Sequence, residues 1–369
     1  MVADEQRRSL AGASRFCRGL LQVPSPSRQA EAFIRSIREE IIRRQYHVIL
    51  PTDDVTLLLL AQARQELDGL AALPFPDAQV IQCVHDKGRL MLLAEEMGIP
   101  IPKTVIVREL TALGWVAREI GFPAVVKPRM SWSHQSAGWV NGGAIHYVSN
   151  AEELKTACRA VHQVVPCPIV QAYIPGEGRG VFLLMRQGKI RAAFAHRRIR
   201  EKPPAGGVSV LSESVEVEPR LLDHAERILG ALKWHGVAML EFKHDRRDGI
   251  PKLLEINGRF WGSLQLAVDA GVDFPYLLYR LAVEGDVEPV LSFEKGVRLR
   301  WWLGELDYLF LRIRDCTCMP ERMAAMLEII RPSVQHTRSE VFRWNDPGPA
   351  VEELSQYARN LLRRRRESE

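Results

Sequence analysis

Apolar residues recur along the chain at two spacings, and the switches between them mark its elements. Gln29 to Arg44 and Asp54 to Leu67 have helical periodicity, and Tyr46-His-Val-Ile-Leu-Pro51 between them reads as a short buried strand. Alternation of strand and helix over residues 30 to 84 predicts a small parallel α/β unit. Asp53 and Asp54 then fall at the carboxyl end of the strand, where such sheets bind ligands, with a helix N-cap as the competing role for at least one of them. The next helix opens at Asp86-Lys87 and closes at Gly98-Ile-Pro100. Strands at Thr104 to Arg108 and Ala124 to Lys127 flank a helix ending near Ile120. The polar segment Ser131 to Gly143 predicts a loop able to offer backbone N–H groups to phosphate, before a strand at Ala144 to Val148. Pro168 to Gly176 reads as a strand ending in a turn. Val181 to Arg186 and Lys189 to Ala195 form an antiparallel hairpin about Gln187-Gly188, running into the basic His196 to Lys202 and the hinge Pro203 to Gly207. Helices follow at Arg220 to Lys233 and Asp273 to Glu284. Beyond residue 290 come Arg298 to Trp302, two helical stretches and a last helix after Pro349.

One hairpin carries chemistry. Gly236 to Lys243 and Lys252 to Arg259 alternate as strands around the turn His244 to Gly249. A turn centred on Asp248 sets Glu241 opposite Glu255, with Asn257 two residues on along the same face. Met239, Leu240, Leu253, Leu254 and Ile256 read as buried neighbours, so two facing carboxylates are costly there unless a cation lies between them. Oxygen ligands without His or Cys point to Mg2+, whose shell phosphate oxygens commonly complete, and hence to a nucleoside triphosphate site. A surface hairpin with one Glu on each strand is the plain alternative.

Composition narrows the classes. The chain of 369 residues is long enough for two or three domains, and 46% hydrophobic with 26% charged residues is ordinary for a soluble protein. No run approaches the roughly 18 apolar residues of a membrane span, and Met1 to Arg8 has no signal-peptide core, so the expected location is the cytosol and no membrane partner is expected. The six cysteines are scattered without zinc spacing and read as reduced thiols, Cys316-Thr-Cys318 included. The run Arg363 to Arg366 closes a helical pattern and suits a helix C-terminus. No basic stripe with interleaved aromatics supports a nucleic-acid partner.

The ordered series Asp86-Lys87, Gly121-Phe-Pro-Ala-Val-Val-Lys127-Pro128, Val170-Gln171-Ala-Tyr173-Ile-Pro-Gly176, Glu241, and Glu255-Ile-Asn257-Gly-Arg259-Phe-Trp-Gly262-Ser263 resembles the ATP-grasp superfamily. Within it the chain is similar to the carboxylate-amine ligase-like group related to biotin carboxylase, carbamoyl phosphate synthase and D-alanine:D-alanine ligase. The resemblance covers roughly residues 30 to 285.

It implies ATP and Mg2+, with Mn2+ as an alternative ion. Lys87 and Lys127 resemble the lysines on the ATP phosphates, and Gln171, Ala172, Tyr173 and Ile174 the segment whose backbone reads adenine. Glu241, Glu255 and Asn257 resemble the metal ligands, and Arg259 the arginine on the transferred phosphoryl group, with a structural ion pair as its other role. Arg198 and Arg200 resemble basic residues of a substrate-side loop, and Glu177 is the candidate ribose acid. The implied fold is α/β and α+β: a short Rossmann-like pre-ATP-grasp domain at 1–84, an ATP-grasp domain at 85–289 divided near 168, and a small mostly helical extension at 290–369. Residues 1 to 30 are polar where such proteins begin with an apolar strand, so the first domain is expected to be truncated or remodelled.

The implied activity is ligation: ATP phosphorylates a carboxylate and an amine attacks the acyl phosphate, both partners being small molecules. A thiol nucleophile, bicarbonate as the carboxylate, or a non-catalytic ATP-binding regulator are the alternatives. Trp261, Trp301 and Trp302 leave a homo-oligomer open, although large aromatics are more often core. The portion after residue 290 carries no readable chemical motif, and packing on the ATP domain is its expected role.

Overall fold

A computed structural model describes residues 1–135, 138–204, 206–315, 318–330 and 336–368, with side chains at 315, 325, 328–330 and 364–368 left out. Ser136 of the expected phosphate loop, Ala205 of the hinge, Cys316 and Thr317 lie outside the described residues, as do the side chains of Arg364 to Arg366.

The N-terminal portion is mostly helical. Strands β1 (Val2–Asp4) and β2 (Leu20–Gln22) pair in parallel, giving the polar opening a strand pair that its composition did not announce. Helices α1 (Ala30–Arg44), α2 (Asp54–Gln62), α3 (Arg64–Leu67) and α4 (Ala78–His85) follow. The strand expected at Tyr46 to Pro51 is a single bridge, Val48 to Ala72, because no partner strand runs beside it. Five consecutive residues of α2, Leu57 to Ala61, are buried together with Phe33, Ile34, Ile41 and Leu67, so this helix is core on most sides. Asp53 caps α2 by accepting from Thr56 N at 2.9 Å.

Helix α5 (Lys87–Glu96) starts at Asp86, whose carboxylate accepts from the backbone N–H groups of Gly88 and Arg89. A four-stranded antiparallel sheet is then assembled from β3 (Thr104–Ile106), β4 (Ala124–Lys127), β7 (His146–Val148) and β8 (Ile169–Ala172), in the order β3-β8-β4-β7. Its outer face packs on α6 (Leu113–Ile120) and α7 (Ala151–Val164), with Val126, Val170, Leu154 and Val161 in one cluster. Between β4 and β7, Trp132–Gln135 (β5) and Gly138–Asn141 (β6) form a separate hairpin where a phosphate loop was expected. Trp139 N–H donates to Ser27 O at 2.8 Å, so the hairpin is docked on the N-terminal portion.

A second sheet runs β13-β12-β9-β10-β11-β14-β15, built from β9 (Gly176–Arg186), β10 (Lys189–Lys202), β11 (Val208–Ser214), β12 (Gly236–Asp245), β13 (Pro251–Asn257), β14 (Arg298–Arg300) and β15 (Thr337–Ser339). All its pairings are antiparallel except that of β14 with β15. The β9–β10 turn holds Gln187 at φ 48° and Gly188 at φ 85°, the left-handed pair that a tight hairpin requires. Alternation along the strands divides the apolar residues between two cores. Ala238, Leu240 and Phe242 pack with α8 (Pro219–Ala231) and α5, whereas Met239 joins Phe182, Phe194 and Trp261 under α9 (Leu264–Asp269) and α10 (Phe274–Glu284).

The last portion does more than cover this sheet: it adds β14 and β15 to it and folds α11 (Trp302–Asp315), α12 (Met319–Ile330) and α13 (Gly348–Ser368) alongside. Helix α11 is fixed by Glu305, 1% exposed, which accepts from Arg200 Nε at 2.7 Å and lies 3.3 Å from Arg300 Nε. Removing Glu305 takes a buried carboxylate from beside two buried guanidinium groups, so Glu305→Ala is expected to cost about 3 kcal/mol, read as a fall in the denaturant midpoint. An unchanged midpoint would show that α11 is not held through this pair. No helix among the described residues is long and apolar enough to cross a membrane.

Candidate active site

The two sheets face each other across a cleft of about 400 Å³. Its floor is the β12–β13 hairpin, in which Glu241 pairs directly with Glu255 in the expected register. That register survives because the strands slip by one residue between Glu241 and Phe242; Leu254, expected to be buried, sits at the slip and is half-buried. Lys87, Lys127, Arg198, Glu241, Glu255, Asn257 and Arg259 all line this cleft.

Charge is tightly organised there. Arg198 bonds Glu241 and also donates to Glu201 Oε1 at 2.9 Å. Lys87 Nζ lies 3.6 Å from Glu255 and donates to Ser131 Oγ at 2.8 Å. Burial pushes the Glu241 carboxyl up to about 7 against the pull of Arg198, and the facing Glu255 adds to the rise. Burial alone would raise Glu255 too, yet Lys87, the hydrogen bond with Glu241 and the Asn257 amide hold it well below the usual carboxylate range. Of the two acids, Glu241 therefore holds a proton the more readily. Lys127, 7% exposed at the end of β4, is driven down to about 8 by burial and then by Lys87.

A hard divalent cation fits this arrangement. Asn257 Nδ2 donates to Glu255 Oε1 at 3.1 Å, which leaves the amide oxygen of Asn257 available beside both carboxylates. Two carboxylates and an amide oxygen are a donor set for Mg2+ or Mn2+ that needs further oxygens from a ligand. Among the described residues no group of three or more His, Cys, Asp or Glu side chains could hold a metal ion, so a cation here would rest on the two carboxylates, the amide and its ligand's own oxygens.

Other expectations meet a different geometry. Arg259 Nε and Nη2 hold both oxygens of Asp54 at 2.9 and 3.1 Å, so this guanidinium, although in the cleft, ties the hairpin to the first turn of α2. Arg200 is not in the cleft: a bulge between Arg198 and Arg200 turns it to the other face of β10, onto Glu305. Glu177 also faces away, 2.9 Å from Arg179 and 3.9 Å from Arg197, and these pairs oppose a ribose role for it. In the segment Gln171 to Ile174, the Gln171 amide donates to Thr104 Oγ1 at 2.8 Å, Ala172 N–H to Lys103 O and Tyr173 N–H to Pro123 O. Ile174 N–H has no backbone partner among the described residues and is the free donor of the four.

Several cleft residues went unread in the sequence. His196 lies two strands over from Glu241, with Gly180 of β9 between them; a Cβ at Gly180 would sit 2.7 Å from His196 Nε2. His196 Nδ1 meets Ser263 Oγ at 3.1 Å, while its Nε2 and Trp261 Nε1 are buried without partners among the described residues. Tyr147, Lys243 and Glu201 line the wall, with Lys243 Nζ 5.4 Å above the Tyr173 ring. The two-residue alternation from Arg198 back to His196 was a signal for the histidine.

The model of a family described as "ATP-grasp in the biosynthetic pathway with Ter operon" matches residues 164–304. A D-aspartate ligase of Enterococcus faecium is 23% identical over 294 residues, 76% of this chain and 70% of the relative. Among solved structures, the biotin carboxylase domain of Hydrogenobacter thermophilus 2-oxoglutarate carboxylase, in complex with MgADP, ADP and bicarbonate, superposes with TM-score 0.59 at 17% identity over 72% of this chain. An L-amino acid ligase from Bacillus licheniformis superposes with TM-score 0.58 at 18% identity over 73%. The chain spans 60% and 64% of those two proteins. Over residues 164–304 the chain is thus similar to an ATP-grasp family, and its fold is that of the biotin carboxylase and amino-acid ligase structures.

Proposed function

We propose that the cleft activates a carboxylate with ATP and Mg2+ and passes the acyl group to an amine. The observation that carries this reading is the facing, half-buried pair Glu241 and Glu255, set with Asn257 in one cleft with Lys87 and Lys127. In it a carboxylate oxygen bonds to the terminal phosphorus of ATP as the bond to ADP breaks. The amine nitrogen then bonds to the acyl carbon, phosphate leaves with its oxygen, and the ammonium proton goes to water or a cleft carboxylate.

The chain's own part is placement and charge. Glu241, Glu255 and Asn257 would hold the cation, which neutralises phosphate oxygens when bound. Lys87 and Lys127 bring neighbouring point charges to the transferring group, Lys87 N–H being bonded to Arg129 O at 2.9 Å, two residues beyond Lys127. Ile174 N–H offers one donor for a purine edge, and Tyr147 a flat wall. Arg259 acts from a fixed position because Asp54 accepts from its Nε and Nη2 and Phe260 O from its Nη1.

A second reading, bicarbonate as the carboxylate, is favoured by the likeness to a biotin carboxylase domain solved with bicarbonate. The likeness to two amino-acid ligases favours an organic acid. The test is ADP release with ATP and Mg2+ against pooled L- and D-amino acids, small carboxylates and bicarbonate, with hydroxylamine as trapping nucleophile. Stimulation by the organic pool with hydroxamate formed supports an acyl phosphate of an organic acid, and stimulation by bicarbonate alone supports the second reading. ATP binding without ADP release in any mixture would leave a non-catalytic nucleotide-binding protein.

A further inference from the structure

The cleft wall contributed by the C-terminal portion carries one acid with no counterion. Glu340 immediately follows β15, and its N–H donates to Arg300 O at 2.9 Å, so its backbone is locked to the strand that extends the central sheet. Its side chain lines the same cleft as Lys127, Arg198 and Glu255, alongside Trp261, Gly262 and Ser263. Every other acid of that cleft has a basic partner: Arg198 for Glu201 and Glu241, Lys87 for Glu255. For Glu340 no ion pair with a cation is found among the described residues. Burial, and then Glu353 on α13, push its carboxyl up to about 8 with no cation to offset them. Glu353 is itself engaged, accepting from Trp301 Nε1 at 2.6 Å.

A carboxyl without a basic partner, on the wall of a cleft whose other acids are paired with lysine and arginine, is a place where a cationic ligand gains a counter-charge. Protonated in the empty cleft, it ionises as a ligand cation binds beside it and releases its proton to water. Besides the metal ion, the proposed reaction brings a cation into the cleft as the acceptor amine, protonated before it attacks. We propose that Glu340 is the residue that recognises the acceptor, binding an ammonium group on the side of the cleft lined by Trp261 and Ser263. This assigns the C-terminal portion a task in acceptor choice, and it rests on the reading of the cleft as an acyl-phosphate-forming ligase. Two buried nitrogens without partners among the described residues, His196 Nε2 and Trp261 Nε1, belong to residues that line the same cleft and are available to the acceptor's own polar groups.

The test compares nucleophiles. Hydroxylamine is mostly uncharged at pH 7.5, whereas ammonium chloride, L-lysine and the other amino acids are cationic at nitrogen. With the carboxylate found by the pooled screen, the ratio of kcat/KM for the best cationic amine to that for hydroxylamine is measured for wild type, Glu340→Gln and Glu340→Asp, with circular dichroism to verify folding. The expected result is a ratio at least tenfold lower in Glu340→Gln, through KM for the amine, with partial recovery in Glu340→Asp. Equal ratios in wild type and Glu340→Gln overturn the proposal, and so does a wild type that prefers hydroxylamine to every amine of the panel. Absence of hydroxamate from the wild type itself marks failure of the ligase reading, and the role of Glu340 falls with it.

Discussion

Glu255→Gln is expected to lower substrate-stimulated ADP release by about a thousandfold while leaving the fold intact, the upper end of what removal of one fixed electrostatic group costs. Glutamine keeps the shape and the hydrogen bond from Asn257 Nδ2 but removes the negative charge that faces Glu241. A divalent cation then has one anionic ligand, Glu241, which is already committed to Arg198. The effect on stability is small because two changes oppose each other. Lys87 loses the carboxylate 3.6 Å away, and Glu241 is relieved of the neighbour that raises its proton affinity. Thermal unfolding within a few degrees of wild type, together with lost turnover, is therefore the signature of a ligand to the cation. Excess Mg2+ recovers part of the rate if affinity alone is damaged. Turnover equal to wild type in a folded Glu255→Gln protein would sink the metal assignment.

The hairpin was legible in the sequence because its information is local. Strand alternation and turn length fix which residues oppose each other, and the Glu241 to Glu255 pairing follows from them even though a bulge intervenes. The helix capped by Asp86 and the turn at Gln187-Gly188 are of the same kind. What escaped depends on distant segments. Glu177 and Arg200 carry the right residue types at plausible positions, but one falls on the opposite face by strand parity and the other is turned there by the slip after Arg198. The partner of Arg259 is Asp54, 205 positions away, and no local pattern announces it. Glu340 was invisible for a related reason: its neighbours in the chain have no motif, and its chemistry comes from the cleft into which a parallel strand delivers it. The strand expected at Tyr46 to Pro51 failed because an apolar run is a strand only where another strand pairs with it.

Lys127→Met is expected to do opposite things to stability and to activity. In the unfolded chain the ammonium titrates at its ordinary 10.5, and in the folded protein burial brings it down to about 8. The unfolded state therefore holds the proton more tightly, and near pH 7, where both states are charged, the buried charge costs about 3 kcal/mol. That cost is fully present below pH 8 and disappears as the pH rises from there towards 10.5, so ligand-free wild type gains stability across this window. Methionine matches the length of the lysine stem without its charge. At pH 7 and without ATP the variant is expected to melt several degrees higher than wild type, with the gap closing above pH 8. ATP with Mg2+ is expected to reverse the order, since phosphate oxygens supply the counter-charge that burial withholds and binding to the folded state raises its stability. Turnover falls about 10²- to 10³-fold in the same variant. A lysine held at a cost in the empty cleft and repaid only by phosphate is the mark of a binding group, whereas a structural lysine would lower the melting temperature when removed. Lys127→Met that melts below wild type at pH 7 without ligand, or that still turns over normally, would show that the charge serves the fold.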